Sequence, residues 1–246
     1  MSISTSVARI VANAFPPAVM TSGERDEAFV LLGRHFNGVT RDQFERDLSS
    51  KNMVLLLRDG TSRELVGFST MRVYETRVDG LPVSVVCSGD TIVDPAAWSS
   101  AALPRSWISV VSKLRLDYPN GSFYFLLITS GFRTYRLLST FWQTFYPRFD
   151  APTPPQMQHL LDTLAIERFG RAYDPVGGIV RFPNPQILRP HLAGISPARL
   201  NDPHIAFFAR RNPGHARGDE LACLCELAES NLTRAGRRIA LVPEAR

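Results

Sequence analysis

Apolar residues in the first half of the chain change spacing every ten to fifteen positions, and each change marks an element. From Glu24 to Phe36, Ala28, Leu31, Leu32 and Phe36 recur at helical spacing, and Asn37-Gly38 supplies a stop. Thr40 followed by Gln43 forms a capping-box pattern and predicts a second short helix from Arg41 to Leu48. Met53–Asp59 is a strand-length apolar run closed by the turn pair Asp59-Gly60. Leu65–Arg77 alternates and is rich in β-formers, and Asp79-Gly80 turns it into Val83–Val93. Three strands joined by tight turns predict an antiparallel meander.

Beyond Val93, Asp94-Pro95 ends the third strand, and a loop of small residues leads into a helix over Arg105–Asp117. Ser122–Ile128 then predicts a buried strand, and Phe132–Phe145 a helix ending near Pro147. In the second half, Pro152, Pro154 and Pro155 make a stiff connection. Gln156–Arg171 and Asp219–Arg234 predict helices, and Ile179–Phe182 and His204–Arg210 short strands that complete the sheet. The expected organisation is an arm over 1–21, leading to a single domain over 22–246 with its core at 24–149 and an elaborated part at 150–246. The arm is expected as a loose segment or a short helix stopping before Pro16-Pro17.

The chain has 246 residues, 44% of them hydrophobic and 21% charged, enough apolar material for a packed core. No apolar run reaches the roughly 18 residues of a membrane span, and the first residues do not form a secretory signal, so no membrane partner and a cytoplasmic setting are expected. Three cysteines, Cys87, Cys223 and Cys225, fit a reducing compartment and buried thiols better than a disulfide framework. Cys223-x-Cys225 has only His215 near it in sequence, too few ligands for a metal, and none is expected. The net charge of +5 suits an anionic small molecule. No zinc-finger, helix-turn-helix or RNP-type pattern points to nucleic acid. His159, His191, His204 and His215 carry no catalytic motif.

The order helix, helix, three antiparallel strands, helix, strand, helix over Glu24–Phe149, together with the segment Asp90–Trp107 (DTIVDPAAWSSAALPRSW), resembles the GNAT superfamily of acyl-CoA N-acyltransferases. The resemblance implies an α/β (α+β) fold with a mixed, mostly antiparallel sheet flanked by helices. It implies acyl transfer from acetyl-CoA or another acyl-CoA, or from an acyl carrier protein, to a small-molecule amine or a peptide. The oligomeric state stays open. In that family a Val-Asp-Pro-like strand end leads into a glycine-rich loop and a helix N-terminus that hold a pyrophosphate, where orphan amides and the helix dipole suit an anion. Here Val93-Asp94-Pro95 matches, and Trp98, Ser99, Ser100, Ala101 and Ala102 stand where arginine and glycines are usual. Alanine lacks glycine's access to positive φ.

The implied ligand site is Thr91, Ile92 and Val93, the loop Trp98–Ala102, and Arg105 at the start of the following helix, with Arg133 and Arg136 adding charge. The strand before the loop would offer backbone donors to the thioester. Asp90 is the candidate base: alternation alone sets it on the solvated side, and a bulge at Gly89 would re-aim it. Cys87 is a second candidate. The family's proton-donating tyrosine falls on Trp142, which cannot act as an acid, leaving Tyr135 and Tyr146 as substitutes. The altered loop and missing tyrosine keep a second expectation open, a catalytically inactive module that binds a ligand or a protein.

Overall fold

The computed structural model describes residues 10–98 and 100–240. In chain order the elements are β1 (Ile10–Phe15), α1 (Ser22–His35), β2 (Phe36–Asn37), α2 (Arg41–Ser49), β3 (Met53–Asp59), β4 (Leu65–Val78), β5 (Leu81–Val93), α3 (Ala102–Asp117), β6 (Ser122–Thr129) and α4 (Phe132–Phe141). They continue with α5 (Pro155–Phe169), β7 (Tyr173–Asp174), β8 (Ile179–Val180), β9 (Ile187–Leu188), α6 (Pro190–Ala193), α7 (Pro203–Arg211), β10 (Glu220–Glu226) and α8 (Arg234–Ala240). Eight strands form one sheet in the order β1-β3-β4-β5-β6-β10-β8-β7, and β2 pairs with β9 apart from it. Every pairing in the large sheet is antiparallel except β5 with β6. The fold is thus mixed α/β with a mostly antiparallel sheet flanked by helices.

Local chemistry sets several boundaries. Thr21 caps α1 in a complete capping box with Glu24. Thr40 accepts from the Gln43 amide at the start of α2, but the Gln43 side chain turns to Asp47 instead of closing the box. Helix α3 begins at Ala102, one turn earlier than the small-residue loop suggests. Helix α4 stops at Phe141 and not at Phe145, because Trp142 forms a bridge with Leu232 and the Gln143 amide donates to the Asn231 carbonyl.

Three expectations are corrected. Residues 10–15 of the expected arm are strand β1, paired along its length with β3; residues 1–9 lie outside the described residues. Residues 204–210 are not a strand: Asp202 accepts from the amides of His204 and Ile205, Pro203 takes the first helical position, and α7 follows. Residues 220–226 are not helical. They form β10, antiparallel to β6, with Leu221–Cys225 all buried, because the free edge of β6 needs a strand covered on both faces. Of the expected strand 179–182, Ile179 and Val180 remain, paired to β10.

The core has three parts. On one face of the sheet, α3, α4, α7 and α8 pack over a cluster that includes Trp107, Phe125, Phe132 and Phe208. On the other face, α1 and α2 cover Val54, Leu56, Phe68 and Ile92, while α5 covers Val85, Cys87, Leu126 and Leu224. Along β4, Phe68 belongs to the α1–α2 cluster and Tyr74 packs on the α5 cluster. Side chains in a strand alternate, so Thr70 and Arg72 point to the same face between them. Between α2 and α5 on this face, Thr70 is buried and Arg72 is half-buried.

Candidate active site

Strands β5 and β6 run side by side only from Val83/Ser122 to Cys87/Leu126. Beyond that point β5 stays with β4 as far as Val93, and β6 stays with β10 as far as Thr129. The sheet opens between them. From Ser88 to Val93 the edge of β5 that faced β6 has no strand beside it, so its backbone groups face the opening.

A bulge sits at the mouth. Met71 pairs with Ser88 and Ser69 with Thr91, so Gly89 and Asp90 together face the single residue Thr70. Glycine is required here. A Cβ on Gly89 would lie 2.4 Å from Thr70 Oγ1 and 2.5 Å from Lys51 Cε. The bulge brings Asp90 to the α2–α5 face, where Lys51, at the end of α2, is the cation acting most strongly on it. Protein crowds the Asp90 carboxyl although part of the residue stays open, and desolvation, against the pull of Lys51, moves its pKa up to about 6. Burial likewise lowers the Lys51 pKa, despite Asp90 and Asp47. Lys51 Nζ has only long contacts, 3.3 Å each, to the Asp47 carbonyl and the Ser50 hydroxyl.

Glu220 opens β10 next to the parting of the strands. It alternates with Leu221, which packs against the α3–α4 side, and so faces the same way as Asp90. Desolvation first and the Asp90 charge second move its pKa up to about 8. At neutral pH the site thus holds an ionised Asp90 and a protonated Glu220, a base and an acid separated by their environments. Around them, Thr70 Oγ1, in a residue only 2% exposed, and the Tyr74 hydroxyl are buried without a hydrogen-bond partner. The Tyr74 hydroxyl lies against the Cys87 thiol without the geometry of a bond, and burial holds its pKa far above the ordinary phenol range. Cys87 is 5% exposed and desolvation pushes its thiol up to about 11, which leaves it protonated and a poor nucleophile.

The other residues expected at the site separate into two groups. Thr91 bonds Ser69 through the two hydroxyls at 2.9 Å, and Ile92 is buried under α1 and α2. The Val93 carbonyl accepts from the Trp98 indole at 2.8 Å. Ser100 accepts from the Ala102 amide with its hydroxyl, Ala101 is the N-cap of α3 and offers no side-chain cap, and Pro104, third in the helix, has no N–H to give. Ser99 lies outside the described residues. Arg105 is in the first turn of α3 with a buried Nε that has no partner. Arg133 stacks on Trp98 at 4.2 Å and on Phe132 at 4.4 Å, near Arg199, and donates to the Leu192 carbonyl. Arg136 is not available to a phosphate: Asp202, Ser139 and Thr140 hold it.

The tyrosines lie elsewhere. Tyr135 is fully buried against Phe145, Phe207 and Phe208, and its hydroxyl donates to the Pro147 carbonyl. Tyr146 bridges to Leu224 and lines a cavity of about 340 Å³ with Met157 and Glu226, which shares no residue with the opening. A second cavity, of about 430 Å³, lies between Leu161, Val176 and Arg211, also apart from it. Among the described residues no group of His, Cys, Asp and Glu is placed to hold a metal, and no helix is long and apolar enough to cross a membrane.

Lys51, Thr70, Tyr74 and Glu220 escape a reading of the sequence. One signal for Lys51 exists: it is one of two lysines, with Lys113, in a chain of 26 arginines.

No protein-family profile matches the chain, and no curated protein matches it. Solved structures match in part. N-myristoyltransferase of Saccharomyces cerevisiae with bound myristoyl-CoA is 17% identical with a TM-score of 0.39, over 49% of this chain and 29% of that one. A GNAT family N-acetyltransferase of Escherichia coli in complex with CoA is 13% identical with a TM-score of 0.38, over 55% and 70%. A probable N-acyltransferase of Enterococcus faecalis is 12% identical with a TM-score of 0.42, over 88% and 65%. The chain thus spans less than a third of the yeast enzyme. Likenesses of this degree fix no activity.

Proposed function

We propose that this chain is an N-acyltransferase that takes an acyl thioester, acetyl-CoA or another acyl-CoA, into the opening between β5 and β6 and passes the acyl group to an amine held over Asp90. The observation that carries the reading is the opening itself, with a carboxylate of pKa about 6 on β5 at its lip and a carboxyl of pKa about 8 on β10, one strand beyond β6 and within reach of the Asp90 charge. The neutral amine nitrogen bonds to the thioester carbon, and Asp90 takes the proton the nitrogen loses as that bond forms. The free backbone edge of β5 stabilises the oxyanion, and the carbon–sulfur bond breaks. Glu220 gives its proton to the departing thiolate, the role that neither Tyr135 nor Trp142 is placed to fill. After turnover the proton on Asp90 returns through solvent to Glu220. Cys87 is kept out of the reaction by its protonated state.

The loop residues fit a coenzyme A pyrophosphate by charge more than by amides. Ser100 occupies the Ala102 amide and Pro104 removes another, while Arg105 has an Nε without a partner among the described residues, Arg133 lies over Trp98 and Phe132, and Arg199 lies over Phe132. Those three arginines would hold the phosphates. The reduced set of amides is also the observation that favours a second reading, a non-catalytic module that binds a ligand or a protein partner. The acceptor is a small-molecule amine or a peptide, and a carrier-bound acyl group is an alternative donor. The three buried, unpaired cysteines fit a cytoplasmic setting.

Titration calorimetry with coenzyme A, followed by thiol release from acetyl-CoA in the presence of an amine panel, tests the reading. Binding with turnover that Asp90→Asn abolishes supports the enzyme. Binding without turnover on any amine supports the module. Absence of binding at millimolar coenzyme A removes the acyl-CoA reading and leaves the non-catalytic module in front.

A further inference from the structure

We propose that Arg72 and Arg168 grip an anionic group on the acyl acceptor, so that the site selects amines that also carry a carboxylate or a phosphate. The inference rests on the acyltransferase reading of the same opening and adds the class of its second substrate.

Half-buried arginines in this protein are, as a rule, tied down. Arg25 and Arg58 hold glutamates, Arg136 holds Asp202, and Arg115 and Arg189 hold backbone carbonyls. Arg105 breaks the pattern at the start of α3, and Arg72 and Arg168 break it on the α2–α5 face. Both are half-buried, and among the described residues neither donates a hydrogen bond or meets a carboxylate in an ion pair. A guanidinium half out of water with no acceptor is costly, and a planar anion is what its fork of donors fits.

The two converge. Arg72 is directly across the ladder from Cys87, and its guanidinium lies 5.9 Å from the Tyr74 ring. Thr70, Arg72, Tyr74 and Thr76 alternate onto the α2–α5 face of β4. The Thr76 hydroxyl bonds the Glu167 carboxylate at 3.2 Å, which fixes the end of α5 above this row. Arg168, next along α5, is close enough for its charge to act on Tyr74, Cys87 and Lys51 together. Three cations thus act on Cys87, Arg72 from the facing position of β4, Arg168 from α5 and Lys51 from the end of α2. On the same face of β4 the Thr70 and Tyr74 hydroxyls are buried without a hydrogen-bond partner among the described residues. Asp90, the acid that acts most strongly on Lys51, marks where the acceptor's amine would sit. An acceptor with its amine on Asp90 and an anion on Arg72 and Arg168 would give both guanidiniums the acceptor they lack. A neutral amine would leave the arginines bare.

Calorimetry with the full chain decides this, with 4-aminobutyrate and O-phosphoethanolamine as anionic probes and butylamine and ethanolamine as neutral controls, each with and without coenzyme A. The two anionic arms separate carboxylate from phosphate. The anionic probes are expected to bind at least about tenfold more tightly than the controls, and Arg72→Gln and Arg168→Gln each to remove about tenfold of that preference. Melting temperature and coenzyme A affinity should not change in either variant. Equal affinity for both kinds of probe, or a preference that survives the double substitution, overturns the inference and leaves the acyltransferase reading standing. Displacement of an anionic probe by coenzyme A also overturns it, because the arginines would then belong to the thioester's own phosphates. Arginine-dependent binding of the anionic probes with no coenzyme A binding keeps the anion site and removes the acyltransferase reading instead.

Discussion

Asp90 and Glu220 carry opposite proton assignments, and that difference has two measurable consequences. Asp90 must be ionised to act as a base and Glu220 protonated to act as an acid. The rate should therefore rise through about pH 6 and fall again through about pH 8. Asp90→Asn should lower kcat/KM by about 10²–10³-fold. Glu220→Gln should lower the rate and remove the alkaline limb, read from kcat/KM between pH 5 and 9.5. Stability follows the same group. The folded pKa of Glu220 is raised from 4.5 to about 8, so its protonated form favours the fold fully below about pH 4.5, and this contribution is lost as pH rises to about 8. Part of the residue is open to water, so the loss is on the order of 1–2 kcal/mol rather than the full shift. Melting curves of wild type should fall across that window, and those of Glu220→Gln should fall less. Of these residues only Asp90 is legible in the sequence, because Gly89 before it signals a bulge. Glu220 is hidden by Ala, Leu and Glu around it, which favour a helix until tertiary contacts decide otherwise. Lys51 is far from Asp90 in sequence, and only the meander's register brings the two together.

The element on which the site depends is the bulge in β5. Gly89→Ala would place a methyl group against Thr70 and Lys51. The lysine's flexible end can retreat, but the threonine on the neighbouring strand cannot, so the bulge must shift. A stability loss of about 1–3 kcal/mol is expected, with a larger fractional loss of activity, because Asp90 would swing from the cleft. Denaturant titration and thiol release, measured on the same preparation, separate the two effects. The meander itself is readable, since its alternation and its Asp-Gly turns agree. The second half is harder. Residues 204–210 hold a short unbroken apolar run, Ile205–Ala209, yet Asp202-Pro203 starts a helix, a signal that local capping chemistry supplies and periodicity does not. Residues 220–226 have no such marker, and a short apolar run is ambiguous between helix and strand until a neighbouring edge is available.

At the scale of the molecule, the second half completes the first. β10 lies beside β6, and β8 and β7 extend the sheet outward from it. We read residues 10–240 as one folding unit on this basis. Limited proteolysis between Phe149 and Gln156 should leave the two fragments associated under native conditions, and separated fragments should lose the cooperative transition, because β6 would lose the partner that buries its edge. The same completion brings Glu220 to the opening, so an isolated 24–149 fragment would lack its acid. The central claim is that the parted strands bind an acyl thioester and that Asp90 drives its transfer. Titration of the full chain with coenzyme A, coupled to thiol release from acetyl-CoA with 4-aminobutyrate, measures it most directly. Saturable binding and turnover that Asp90→Asn reduces at least about a hundredfold, without weakening coenzyme A binding, is the predicted result. Unchanged turnover in Asp90→Asn, or no heat of binding at millimolar coenzyme A, would contradict it.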